Sequence, residues 1–222
     1  MQLVHTVFEP EGDGPHPTVL ALHGWGASAM DLLSIAPYLC SGRFLVICPQ
    51  GSIEVPLGPG AVGYGWFPLS LDAPPDVPAI LAATDNVRLF LDGCATRHPI
   101  DLRKLVVLGF SQGGVMAYGL AFAAPERYSA VAVLSSWLPQ EFVNTSPNIA
   151  NSQYPPMLIQ HGLHDELIEV DRARQSIETL RSLRVPVTYR EYEMGHEISQ
   201  RSLADLSVWL EDKVLSPIVL AT

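Results

Sequence analysis

The chain has 222 residues, 48% hydrophobic and 16% charged, which is enough apolar material for a large core and argues against disorder. Its formal net charge of −10 repels phosphate, so nucleic acid and an anionic membrane face are poor partners and a small-molecule or neutral partner is expected. Cys40, Cys48 and Cys94 are odd in number and form no C-x-x-C pair, which disfavours a disulfide framework or a structural zinc site.

The chain begins MQLVHTVFEP, with no basic region leading into a long apolar stretch. No apolar run reaches the ~18 residues of a membrane span. The expectation is a single cytoplasmic domain over 1–222, without stable membrane insertion. QLVHTVF is a candidate antiparallel edge strand. Continuous apolar runs follow at 17–23 (PTVLALH), 43–49 (RFLVICP), 104–110 (KLVVLGF), 129–136 (SAVAVLSS), 155–161 (PPMLIQH) and 186–192 (PVTYREY). Such runs suit parallel strands covered on both faces. Helical patterns lie between them at 31–39, 79–94, 111–123, 169–183 and 198–214, the last with Leu203, Leu206, Trp209 and Leu210 on one stripe. This alternation predicts an α/β fold with a mostly parallel sheet and helices on both faces. Residues 50–78 and 137–154 break the alternation and read as long loops. Both follow strands expected to be parallel, so both are candidate pocket walls at the carboxyl edge of the sheet.

LGFSQGG (108–114) places a serine between a strand and a helix, flanked by glycines. Gly109-Phe110-Ser111-Gln112-Gly113 matches G-x-S-x-G, in which missing side chains let a sharp turn close and project the hydroxyl. The N–H of Gln112, at the start of the helix, is positioned to meet developing negative charge. A serine hydroxyl needs a base. His161, His164 and His196 follow Ser111, and His196, in EMGHEIS before the last helix, is the best placed to reach the strand ends. The acid that orients it should lie in HGLHDELIEV (161–170). Asp165 and Glu166 compete there, while Asp171 fits a helix start better. His161, His164 and Asp165 lack the spacing of a metal site. LHGWGAS (22–28) ends another strand, and the N–H of Trp25 is a candidate second oxyanion donor. Trp25, Tyr64, Trp66, Phe67 and Trp137 are candidate lining for a substrate pocket.

Taken together, LHGWG (22–26), GWF (65–67), GFSQGG (109–114), HGLHDELI (161–168) and GHEIS (195–199) resemble the α/β-hydrolases, and more narrowly the phospholipase/carboxylesterase family. The pieces occur in that family's order and cover roughly 17–212. The resemblance implies an α/β-hydrolase fold, and the remaining residues leave no room for a separate lid domain. It implies Ser111 as nucleophile, His196 as general base and acid, Asp165 as the orienting acid, and the N–H groups of Trp25 and Gln112 as oxyanion hole. Departures are Trp25, where the family often has a smaller apolar residue, and Ile168-Glu169, where it often has Val-Pro. The expected activity is hydrolysis of carboxylic esters with short to medium acyl chains, with no cofactor and no metal. An acyl thioesterase or lysophospholipase would use the same residues. A dienelactone-type hydrolase would more naturally carry cysteine at position 111. A non-catalytic binding protein of this fold would have lost a triad member, and all three are present. The sequence does not distinguish monomer from homodimer.

Overall fold

The computed structural model describes residues 3–69, 75–145 and 153–216. Seven strands form the central sheet: β1 (His5–Phe8), β2 (His16–Leu22), β3 (Leu45–Pro49), β6 (Ile100–Phe110), β7 (Ala130–Leu134), β8 (Met157–Gly162) and β9 (Val187–Tyr192). Their spatial order is β1-β3-β2-β6-β7-β8-β9. Only β1 runs antiparallel, pairing with β3 at the edge, as QLVHTVF suggested. All other neighbours in this sheet are parallel.

Alternate residues of each central strand feed two cores. Leu20 and Leu22 of β2 join one, and Val19 and Ala21 the other. The first core is covered by α1 (Val77–Cys94), α2 (Gln112–Ala123) and α4 (Val170–Ser182). The second is covered by α5 (Gln200–Leu210) and a 3₁₀ segment, Leu32–Gly42. Burial on both faces explains why these strands read as unbroken apolar runs.

The order reverses between β2 and β6: the chain steps outward from β2 to β3, then crosses to β6 on the other side. Such a switch point opens a crevice at the carboxyl ends of the two strands, where α/β sheets bind ligands. LHGWG leaves β2 there, and Ser111 follows β6.

Three expectations need revision. The helix expected at 31–39 is a 3₁₀ segment containing Pro37, which ends in left-handed backbone at Cys40 and Ser41. Proline removes a donor and clashes with the preceding turn, so a regular α-helix does not propagate. Residues 50–78 are not simply a loop. They hold an antiparallel hairpin, β4 (Ile53–Gly58) and β5 (Ala61–Gly65), and the start of α1. The long loop expected at 137–154 contains a short helix, α3 (Gln140–Thr145), and its residues 146–152 lie outside the described part. No helix among the described residues is long and apolar enough to cross a membrane, and they form no separate lid domain.

Candidate active site

Ser111 stands between β6 and α2 with φ 54° and ψ −119°. A non-glycine residue rarely accepts positive φ, so the surrounding contacts must enforce it. They do: the Ser111 N–H donates to Leu134 O at 2.9 Å, and its carbonyl accepts from the Ser136 hydroxyl at 2.7 Å and the Gly114 N–H at 2.9 Å. The turn closes because two side chains are missing. A Cβ on Gly109 would lie 2.1 Å from Gly113 O, and one on Gly113 would lie 1.9 Å from Leu22 O.

Asp165 lies in the loop between β8 and α4, fully buried. Its Oδ1 accepts the N–H groups of Leu167 and Ile168 at 3.0 and 2.8 Å. Its Oδ2 meets His196 Nδ1 at 2.8 Å. Of the competing residues, Glu166 is exposed, Asp171 binds Arg174 at 2.9 Å, and His164 pairs with Glu193 at the surface. His196 sits in the β9–α5 loop against Phe110, with ring centroids 4.9 Å apart. That contact ties it to the residue before Ser111.

Ser111, Gln112, Trp25 and His196 line one cavity of about 1050 Å³. Phe67 and Trp137 share it. Tyr64 and Trp66 are not among its lining residues. Tyr64 is instead held in the hairpin, exchanging backbone hydrogen bonds with Gly26 and Ala27 at 2.9 and 2.8 Å. Trp66 is buried and its indole N–H donates to His23 O at 2.8 Å. The LHGWG loop runs against the serine: a Cβ built on Gly24 would lie 3.2 Å from Ser111 Cβ.

Three polar side chains that sequence reasoning left without a bracing role hold these loops. The Gln112 carboxamide accepts from Trp66 N–H at 2.8 Å and donates to Phe67 O at 2.7 Å, so it fastens the cavity wall to the start of α2. His23 is buried. Gly51 N–H donates to its Nε2 at 3.0 Å, which places the ring proton on Nδ1, bonded to Gly24 O at 2.7 Å. Burial lowers its pKa. His161 is also buried, with its pKa lowered by burial. Its Nε2 donates to Ile168 O at 2.7 Å and lies 3.4 Å from Asp165 Oδ2. A His-Gly dipeptide at the end of an apolar strand was the available signal for both rings.

Among the described residues one group could hold a metal: His5, Cys94 and His98, with ligand atoms within 4.8 Å of one another. None of them lines the cavity. The Arg97 guanidinium lies 3.8 Å from Cys94 Sγ, where it would oppose a bound cation.

A parallel sheet with a strained serine turn at its carboxyl edge, and a histidine–carboxylate pair beside it, defines an α/β-hydrolase. The model of the phospholipase/carboxylesterase family matches residues 4–213, and the chain belongs to that family. It is 28% identical over 163 residues to a probable carboxylesterase SOBER1-like protein of Arabidopsis thaliana, covering 71% of this chain and 62% of that one. It is 27% identical to acyl-protein thioesterase 1 of Mycosarcoma maydis, covering 90% and 92%. The fold matches a carboxylesterase from Bacillus cereus with a TM-score of 0.77 at 20% identity, over 94% and 93% of the two chains.

Proposed function

We propose that this chain is a single-domain serine carboxylesterase in which Ser111, His196 and Asp165 form the catalytic triad. The observation that carries the reading is the 2.8 Å contact between His196 Nδ1 and Asp165 Oδ2, beside a serine on a strained turn in the same cavity wall as the histidine. With Nδ1–H donated to the carboxylate, the neutral imidazole offers the lone pair of Nε2. Nε2 takes the Ser111 proton as Oγ attacks the ester carbonyl. The carbonyl oxygen gathers negative charge and is met by the N–H groups of Gln112 and Trp25. Losing one such donor typically costs ~100–1,000-fold in rate. The imidazolium then protonates the departing alcohol, and a water deprotonated by the same ring releases the acid.

Trp25, Phe67 and Trp137 give the cavity an apolar lining suited to a short or medium acyl chain, and no lid domain among the described residues suggests a large lipid interface. No cofactor enters the scheme. Cys40, Cys48 and Cys94 are unpaired and buried, which fits the reducing cytoplasm. The name of the thioesterase relative supports a second reading, acyl-thioester cleavage by the same triad.

The test is hydrolysis of p-nitrophenyl esters with acyl chains of two to sixteen carbons, alongside acyl thioesters of matched length. Wild type should cleave the short and medium esters, and Ser111→Ala should be inert. A preference for thioesters at matched length would select the second reading. Activity retained in Ser111→Ala would overturn both.

A further inference from the structure

We propose that Arg172 makes this cavity a site for esters that carry a negative charge, a carboxylate or a phosphate, elsewhere on the substrate. This rests on the esterase reading above. Arg172 belongs to the first turn of α4 and lines the same cavity as Ser111 and His196. Its guanidinium carbon lies 4.3 Å from the centroid of the Trp137 ring, another lining residue. Stacking on an indole face orients the planar fork and leaves its N–H edge open to a ligand.

The position is a costly one for a cation. The first turn of a helix favours acids over bases, because the macrodipole is positive there. Arg172 is exposed overall, and the packing of its guanidinium against the cavity wall lowers its pKa. A carboxylate would ordinarily offset both costs. Arg43, Arg88, Arg103, Arg127, Arg174 and Arg190 each have one within ion-pair distance, while Arg97, Arg181, Arg184 and Arg201 have none among the described residues but lie exposed, away from the cavity. Arg174, two residues further along α4, holds Glu191 through two nitrogens, at 2.8 and 2.9 Å. Among the described residues no carboxylate pairs with Arg172, although Glu169 is near enough to favour its charge.

The rest of the cavity fixes the sign. Arg172 is the one permanent cation among its described lining residues, while Asp31 and Asp76 place carboxylates on it. Asp76 is committed to Ala79 N–H, capping α1 at 3.0 Å. An anionic substrate group can therefore be seated only at the wall formed by Arg172 and Trp137. A guanidinium meets a carboxylate or phosphate through two parallel charge-assisted hydrogen bonds. The anion can sit on the acyl side, as in a half-ester of a dicarboxylic acid, or on the alcohol side, as in an acylated glycerol phosphate.

The experiment compares kcat/KM in two matched pairs. One pair is p-nitrophenyl hemiglutarate against p-nitrophenyl valerate. The other is 1-butyrylglycerol 3-phosphate against 1-butyrylglycerol. Each is run on wild type, Arg172→Met, which keeps an unbranched stem on Trp137, and Arg172→Lys, which keeps the charge without the fork. The anionic-to-neutral ratio should fall about 10-fold or more in Arg172→Met in one pair, which names the side that carries the charge, and less in Arg172→Lys. Ratios unchanged in both pairs, including an equal loss on neutral and anionic esters, would overturn the proposal. A second readout needs no turnover: calorimetric binding of glutarate and of glycerol 3-phosphate to Ser111→Ala and to Ser111→Ala/Arg172→Met. Binding of either anion that weakens with Arg172→Met supports the anion site even if the esterase reading fails. Equal or absent binding in the two variants counts against the anion site alone.

Discussion

The same dipeptide, His-Gly, follows strand β2 as His23-Gly24 and closes strand β8 as His161-Gly162, and the two ends serve different parts of the site. Both rings are buried, and burial lowers the pKa of both. At the end of β2, both nitrogens of His23 bond backbone groups, and its carbonyl holds the Trp66 indole. That end braces the loop carrying Trp25. At the end of β8, His161 bonds the Ile168 carbonyl through Nε2, its Nδ1 has no partner among the described residues, and its Nε2 leans on Asp165. That end braces the acid. One histidine fixes backbone and the other fixes a carboxylate, so equal substitutions should produce unlike losses.

The largest effect is expected where the β8 end meets chemistry. Asp165→Asn keeps an acceptor for the Leu167 and Ile168 N–H groups but removes the charge beside His196. A triad acid replaced by its amide typically costs ~10⁴ in kcat, and stopped assays on p-nitrophenyl valerate should show a loss of that order with little change in Tm. His161→Gln should come next, lowering kcat about 10-fold, since a looser carboxylate orients the imidazole less well. Its pH–rate profile should shift, and His23→Gln should not shift it.

His23→Gln tests the other end. Leaving the Gly51 N–H without its acceptor costs about 1–3 kcal/mol, so denaturant unfolding should report a stability loss that exceeds the loss in kcat. A larger kinetic effect for His23→Gln than for His161→Gln would reverse the comparison.

The two ends should agree in their response to acid. A buried histidine whose folded pKa is lowered binds fewer protons in the native state than unfolded, where its pKa is about 6.5. Stability from such a group is fully present above about 6.5 and is lost as pH falls below it. Tm should decline from pH 7 toward pH 5, and the decline should be shallower in His161→Gln. The smallest effect belongs to Ser136→Ala, which removes one hydrogen bond to the Ser111 carbonyl. It should cost about 1 kcal/mol by denaturant midpoint.

The sharp turn at Ser111 was legible because G-x-S-x-G depends on local backbone sterics that sequence states directly. The strands were legible because burial on both faces leaves unbroken apolar runs. The order of Asp165 and His196 along the chain also survives in sequence, although the choice of Asp165 over Glu166 drew on family resemblance. The hairpin β4–β5 was not legible. Gly58, Gly63 and Pro56 interrupt its alternation, and its register is fixed by a partner distant in sequence: a Cβ on Gly63 would lie 1.9 Å from Gly26 O. The same distance hid the roles of Gln112 and Trp66. A glutamine following the serine of G-x-S-x-G predicts a backbone donor, whereas its side-chain clamp on Trp66 and Phe67 exists only once the hairpin folds over α2. Arg172 was unreadable for a related reason. Its stacking on Trp137 joins α4 to the segment after β7, which no local pattern reports.

The most direct test of the triad is intact-protein mass spectrometry after treatment with an alkyl fluorophosphonate, followed by peptide mapping. The account predicts a single adduct on Ser111, absent in Ser111→Ala and formed far more slowly in His196→Ala. An adduct on another residue, or none on a folded wild type that hydrolyses esters, would contradict it.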